Sequence, residues 1–239
     1  MSFLSLFRVV LALFWIGPAA AQTGDSGARL VEKFKQSKPF FAQIEVARQI
    51  ISLGNANLPE DLKDMLASED RHVRANAAFV FAGLGDIRGL ETLANILQDR
   101  SYRPEGQGIG IAPGDGRYHV ERQIAADRYY AVHVLGELKD AHAIPILTSL
   151  LQDSEVNYNA VWALGQTGDK AAIIPLIEAL KITNPNVRVI AIHSLQQLKA
   201  KEALPALHGL LEDNERSTYG ALVTVAEAAK AAIAALETN

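Results

Sequence analysis

VNYNAVWALGQTGDKAAIIPLIEAL, residues 156–180, contains one whole unit of this chain. Val156, Ala160 and Leu164 stand at i, i+4 and i+8, one face of a helix. Gly168-Asp169 then forms a corner. Leu176 and Leu180 lie seven and eleven residues beyond Asp169, again at helical spacing. Pro175 falls in the first turn of this second helix, where its missing N–H costs nothing. The stretch reads as two helices joined by a tight corner.

The same columns recur along the chain. With the corner as origin, the units begin counting at Asn55, Asp86, Asp140, Asp169 and Ala200, in steps of 31, 54, 29 and 31 residues. Seven residues on stand Leu62, Leu93, Leu147, Leu176 and Leu207; eleven on stand Leu66, Leu97, Leu151, Leu180 and Leu211. The first helices carry Ala42, Val73, Asp127, Val156 and Val187, then Val46, Ala77, Ala131, Ala160 and Ala191, then Ile50, Phe81, Leu135, Leu164 and Leu195. The long step of 54 is one unit carrying 23 extra residues. A helical period near 30 residues means stacked helix pairs. The prediction is an all-α, right-handed solenoid of about five pairs. A leading helix over 27–38 and a trailing one over Val225–Leu236 would cap it, with Glu227, Lys230 and Glu237 on a wetted face.

Val73-Arg74 through Gly85-Asp86, Val187-Arg188 through Pro205, Ala163 through Asp169 and Ala143-Ile144-Pro145 resemble HEAT-like repeats of the type named after phycobilisome lyases. The resemblance covers about residues 40–236 and speaks to fold more than function. Asp127 and Ala200 depart from its pattern. It implies that the first helices line a concave face, and that Arg74, Arg128 and Arg188 are structural, with Asp70 and Asp153 placed to pair with them.

Residues 1–21 read as a secretory signal peptide: Phe3–Ile16 is apolar apart from Ser5 and Arg8, and Ala19–Ala21 offers a cleavage site. The expectation is a periplasmic or secreted chain, residues 22–239, with no membrane span after cleavage. Cleavage would leave 22 basic against 27 acidic residues, which argues against nucleic acid as a partner. There is no cysteine, so disulfides, thiol catalysis and Cys-ligated zinc are excluded.

Columns two and six residues beyond the first-helix valine carry an aromatic and imidazole stripe: Phe79, Tyr129, His133, Tyr158, Trp162 and His193. Tyr130, Asn76 and Asn159 lie one position over. Such residues are enriched at binding hot spots, and they also pack routinely between repeats. Residues 101–121, with five glycines and two prolines, interrupt the period. They read either as a surface loop or as a small hairpin before a helix at about Arg122, with Tyr102, Tyr118 and His119 folded over the stripe as a lid. Gly108-Ile109-Gly110 lacks the third glycine and the flanking elements of a phosphate-binding loop.

The expected function is a non-catalytic scaffold gripping a protein or peptide in a preformed groove, without metal or cofactor. The alternative is an enzyme or a small-ligand or metal-binding protein. His133 and Glu137 are at i, i+4, a workable ligand pair. Deoxyhypusine hydroxylases, built on similar repeats, use His-Glu dipeptides that this chain lacks. For bilin-lyase chemistry the residues offer only the aromatics, and those proteins act in the cytoplasm.

Overall fold

The computed structural model describes residues 20–101, 117–218 and 222–238. Helix α1, Ala20–Gln36, leads into five pairs. These are α2 (Phe40–Ser52) with a 3-10 helix at Leu58–Ala67, α3 (Arg71–Gly83) with α4 (Ile87–Gln98), and α5 (Arg117–Leu138) with α6 (Ile144–Ser149). Then come α7 (Asn157–Gln166) with α8 (Ile173–Ala179) and α9 (Pro185–Gln197) with α10 (Leu204–His208). Two short antiparallel strands, β1 (Arg216–Ser217) and β2 (Val223–Thr224), precede the closing helix α11, Val225–Thr238. The architecture is an all-α solenoid.

Each first helix packs on the first helix of the next unit, in the order α2, α3, α5, α7, α9, α11. The second helices pack mainly on first helices. The first helices therefore form the more closely spaced layer, which is the inner side of a curved stack. The predicted columns make the core. Leu62, Leu93, Leu147, Leu176 and Leu207 are all fully buried, as are Ile50, Phe81, Leu135, Leu164 and Leu195. Ala42 and Leu66 are only partly buried, and Leu211 is exposed: α10 has already ended at His208, so that side chain stands in solvent.

The corners explain why the helices restart where they do. Asp86, Asp140 and Asp169 are N-caps, accepting from the backbone N–H of Arg88, His142 and Ala171. Each such cap contributes about 1 kcal/mol. The residue just before the capping position turns left-handed in every unit. Gly54, Gly85 and Gly168 have φ of 63°, 84° and 67°, as glycine allows. Lys139 and Lys199 take the same conformation, at 51° and 53°, against the steric preference of a side chain.

The arginine column clasps the stack. Arg74 donates to the Ser68 and Glu69 carbonyls and to Asp99; Arg128 to the Leu97 carbonyl, Asp153 and Glu155. Arg188 donates to the Ile182 and Thr183 carbonyls, Asp213 and Glu215. Asp153 is thus a clasp partner as expected. Asp70 is not: it caps α3 through the N–H groups of His72 and Val73. At the far end, Thr224 and Glu227 exchange backbone hydrogen bonds in a capping box that starts α11.

The reading of residues 101–121 needs correction. Helix α5 begins at Arg117, so Tyr118 and His119 lie in its first turn and no hairpin uses them. Tyr102 and Gly108–Gly110 lie outside the described residues, as do residues 1–19 of the expected leader. No helix among the described residues is long and apolar enough to cross a membrane.

Candidate functional site

The stripe assembles on the first-helix face only in part. Tyr129, on α5, is 51% exposed, His193, on α9, is exposed, and Tyr158, on α7, is half-buried. His133 and Trp162 meet face to face, ring centroids 5.3 Å apart and planes 11° from parallel. Phe79 does not join them. It is 4% exposed and packs in the core, because a phenyl ring has no polar edge to keep wet. Asn76, Asn159 and Tyr130 are buried as well, with the Tyr130 hydroxyl donating to Asn76 Oδ1 at 2.5 Å.

Trp162 can lie flat against α5 because residue 136 is glycine. A Cβ there would sit 2.9 Å from Trp162 Cζ3. At Gly165 a Cβ would meet Ser194 Oγ at 2.3 Å, so α7 and α9 also approach closely. Below that contact opens a groove of about 580 Å³, lined by Trp162, Gln166, Ile190, His193, Ser194, Gln196, Gln197 and Lys199. Its size is that of a small-molecule site. Partial desolvation by the helices around it holds the His193 imidazole below its usual pKa, which favours the neutral ring.

On the other side of the stack of rings, His133 Nε2 lies 2.9 Å from Glu137 Oε1. Arg48 donates to Glu137 Oε2 from Nε at 3.1 Å and from its terminal nitrogen at 2.5 Å, and also pairs with Glu45. Arg48 belongs to α2 and Glu137 to α5, so this bridge crosses α3, at the level where the repeat puts Phe79. Glu137 fixes the imidazole edge while Trp162 fixes its plane. The His133 side chain remains 42% exposed. His133 and Glu137, whose spacing would suit a ligand pair, contact each other here, and among the described residues no three of His, Asp and Glu gather as a metal site would require.

A second cluster was invisible to the repeat pattern. Arg71, buried, donates to Asp99 Oδ2 at 3.0 Å, to Asp127 Oδ2 at 2.7 Å and to the Ser101 carbonyl at 2.5 Å. Asp127, the residue out of place in the valine column, is therefore an ionic partner inside the stack. Burial pushes its carboxyl up despite Arg71 and His72, whereas the hydrogen bond from Arg71 holds Asp99 well below the carboxylate range. The His72 ring packs against Phe40 at 4.9 Å and Tyr130 at 5.0 Å, and its Nε2 is 3.7 Å from Asp127 Oδ1 without a hydrogen bond.

The HEAT repeats family model matches residues 123–182 and 152–237, and the PBS lyase HEAT-like repeat model matches 73–99. The chain is a HEAT-like repeat protein. Among curated proteins, it is 29% identical over 156 residues to a bilin biosynthesis protein, PecE, of Mastigocladus laminosus, covering 64% of this chain and 52% of the relative. It is 37% identical over 95 residues to a phycocyanobilin lyase subunit alpha of Picosynechococcus, covering 35% of each. The corresponding subunit of Synechococcus elongatus is 40% identical over 97 residues, 36% of each. The chain thus spans about a third to a half of the length of the curated relatives it matches. Among solved structures, the complex of CpcE and CpcF of phycocyanin lyase from Nostoc matches with a TM-score of 0.40 and 22% identity, over 93% of this chain and 86% of that one. A designed armadillo repeat protein for modular peptide recognition reaches 0.43 at 18% identity, over 91% and 94%. Scores at this level say nothing about activity.

These relatives overturn the expectation of a non-catalytic peptide-binding scaffold. The curated proteins that align in sequence are named as phycocyanobilin lyase subunits and a bilin biosynthesis protein, so the small-ligand and enzyme alternative is the better supported one. The error has a physical source. Repeat columns report how helices pack, and packing is shared by peptide binders and pigment handlers alike.

Proposed function

We propose that this HEAT-like protein binds an open-chain tetrapyrrole, a bilin, on its first-helix face and acts in the attachment of that pigment to a partner protein. The alignment with a bilin biosynthesis protein across 64% of the chain carries the reading. The face suits the ligand. A bilin offers flat conjugated rings, which Trp162 and His133 match in shape, and the adjoining groove of about 580 Å³ is of small-molecule size. The polar side chains of Gln166, Ser194, Gln196 and Gln197, which line the groove, suit its carbonyl and pyrrole N–H groups. With no cysteine, the chain has no thiol to hold pigment as a thioether, so it holds the pigment noncovalently and the acceptor thiol belongs to the partner.

Titration of purified protein with biliverdin tests this. Binding is expected to shift the long-wavelength absorption and to induce visible circular dichroism, with all pigment released in acidic denaturant. Trp162→Ala is expected to weaken binding by about tenfold, as loss of an aromatic wall does. A pigment spectrum unaltered by wild-type protein would sink the proposal.

A further inference from the structure

The five corners of the stack do not follow one rule. Three present glycine in the left-handed position, at Gly54, Gly85 and Gly168. Two present lysine, at Lys139 and Lys199, each strained by a Cβ that the position disfavours. The last corner departs twice. Lys199 is followed by Ala200 instead of a capping aspartate, and Ala200 makes no side-chain cap. One corner has therefore given up both its relaxed backbone and its cap. Local rules broken together, with no structural return in view, mark places kept for function.

Lys199 lines the groove together with Trp162. Among the eight lining residues it is the one fixed cation, and none is a carboxylate. His193, held toward the neutral form by partial desolvation, does not share that role. The missing aspartate matters here, because an acid at residue 200 would stand next to the ammonium and offset it. Lys139 provides the contrast. It lines a different cleft of about 610 Å³, together with Asp86 and Asp140, so its surroundings already hold negative charge.

We infer that Lys199 is the carboxylate anchor of a binding site for a flat, conjugated carboxylic acid, with Trp162 as the wall against which the rings lie. This rests on the reading of the protein as a bilin binder and names the subsite: the ammonium of Lys199 takes a propionate arm while the tetrapyrrole lies along Trp162. A charge-assisted bond from a fixed cation to a carboxylate repays the strained corner only when ligand is present.

The test sets stability against affinity. Lys199→Gly relieves the left-handed strain, so its melting temperature is expected to rise by about 2–4 °C. Its affinity for biliverdin is expected to fall by about tenfold or more. Lys139→Gly is expected to gain stability in the same way and to bind biliverdin as wild type does. Biliverdin dimethyl ester, whose carboxylates are masked, is expected to bind wild type and Lys199→Gly equally weakly. Equal affinity of wild type and Lys199→Gly for biliverdin would overturn the anchor while leaving the bilin reading standing. Failure of wild type to bind biliverdin at all would overturn both. A rise in stability with an unchanged preference for free acid over ester would show that Lys199 is merely a strained corner.

Discussion

Arg71 and Asp127 show what a single residue out of pattern can mean. Asp127 replaces a core valine, and the sequence marks it only as a departure; nothing in the spacing names Arg71, 56 positions earlier, as its partner. The pair joins the start of α3 to the middle of α5, and Asp99 and Ser101 hold the same guanidinium. Removing one partner of a buried ion pair leaves the other charge uncompensated, at about 3–5 kcal/mol. Arg71→Met strands Asp127 and is expected to lower stability by about that amount. Asp127→Asn leaves Arg71 with Asp99 and is expected to cost less. Equilibrium denaturation of both variants measures the difference, and an equal loss in the two would refute the asymmetry. The stripe was legible where residues kept a polar edge, as at His133, Trp162 and Tyr129. It failed at Phe79, where the column rule carried over but the chemistry favoured burial.

At the scale of helices, the sequence was read most fully. Leucine columns, corner glycines and capping aspartates are short-range signals, and each has its counterpart in the fold. What the pattern missed are bonds between units, which depend on which turn lies beside which helix. The family resemblance implies an arginine clasp at Asp70, yet a residue immediately before a helix is better placed to cap it. The start of α5 was set five residues late because Arg117–Glu121 carries little apolar periodicity. Caps at corners should act locally. Asp86→Ala removes the acceptor for the Arg88 N–H at the start of α4 and is expected to cost about 1 kcal/mol. Thermal melting is expected to show this as a drop of about 2–4 °C, whereas an unchanged midpoint would mean the cap adds nothing.

Across the whole molecule, ionised carboxylates hold the units together, and acid should loosen them. Asp99 is held low by Arg71; Asp70 and Asp153 are raised by burial but brought below their usual value by His72 and Arg128 respectively. A carboxyl whose folded pKa is depressed stabilises above its unfolded value, near 3.9, and that stability is lost as pH falls through the folded value. Asp127 has the opposite sign: its raised value favours folding below about 3.9 and loses that contribution as pH rises. Asp86 and Glu227 are held low as well, by hydrogen bonds from Arg88 and Thr224, and five depressed carboxyls against one raised predict a denaturation midpoint that falls from pH 7 to pH 3; a midpoint that climbed would contradict the balance. The arginine clasps also set how the stack yields. Arg74, Arg128 and Arg188 tie three first helices to the turns around them, but α2 and α7 carry Gln43 and Asn157 in that column, without the arginine. A spring bends at its slack coils. One of them lies between α7 and α9, where Trp162 and Lys199 line the same groove. A ligand seated there would brace a joint that the arginine clasps leave untied.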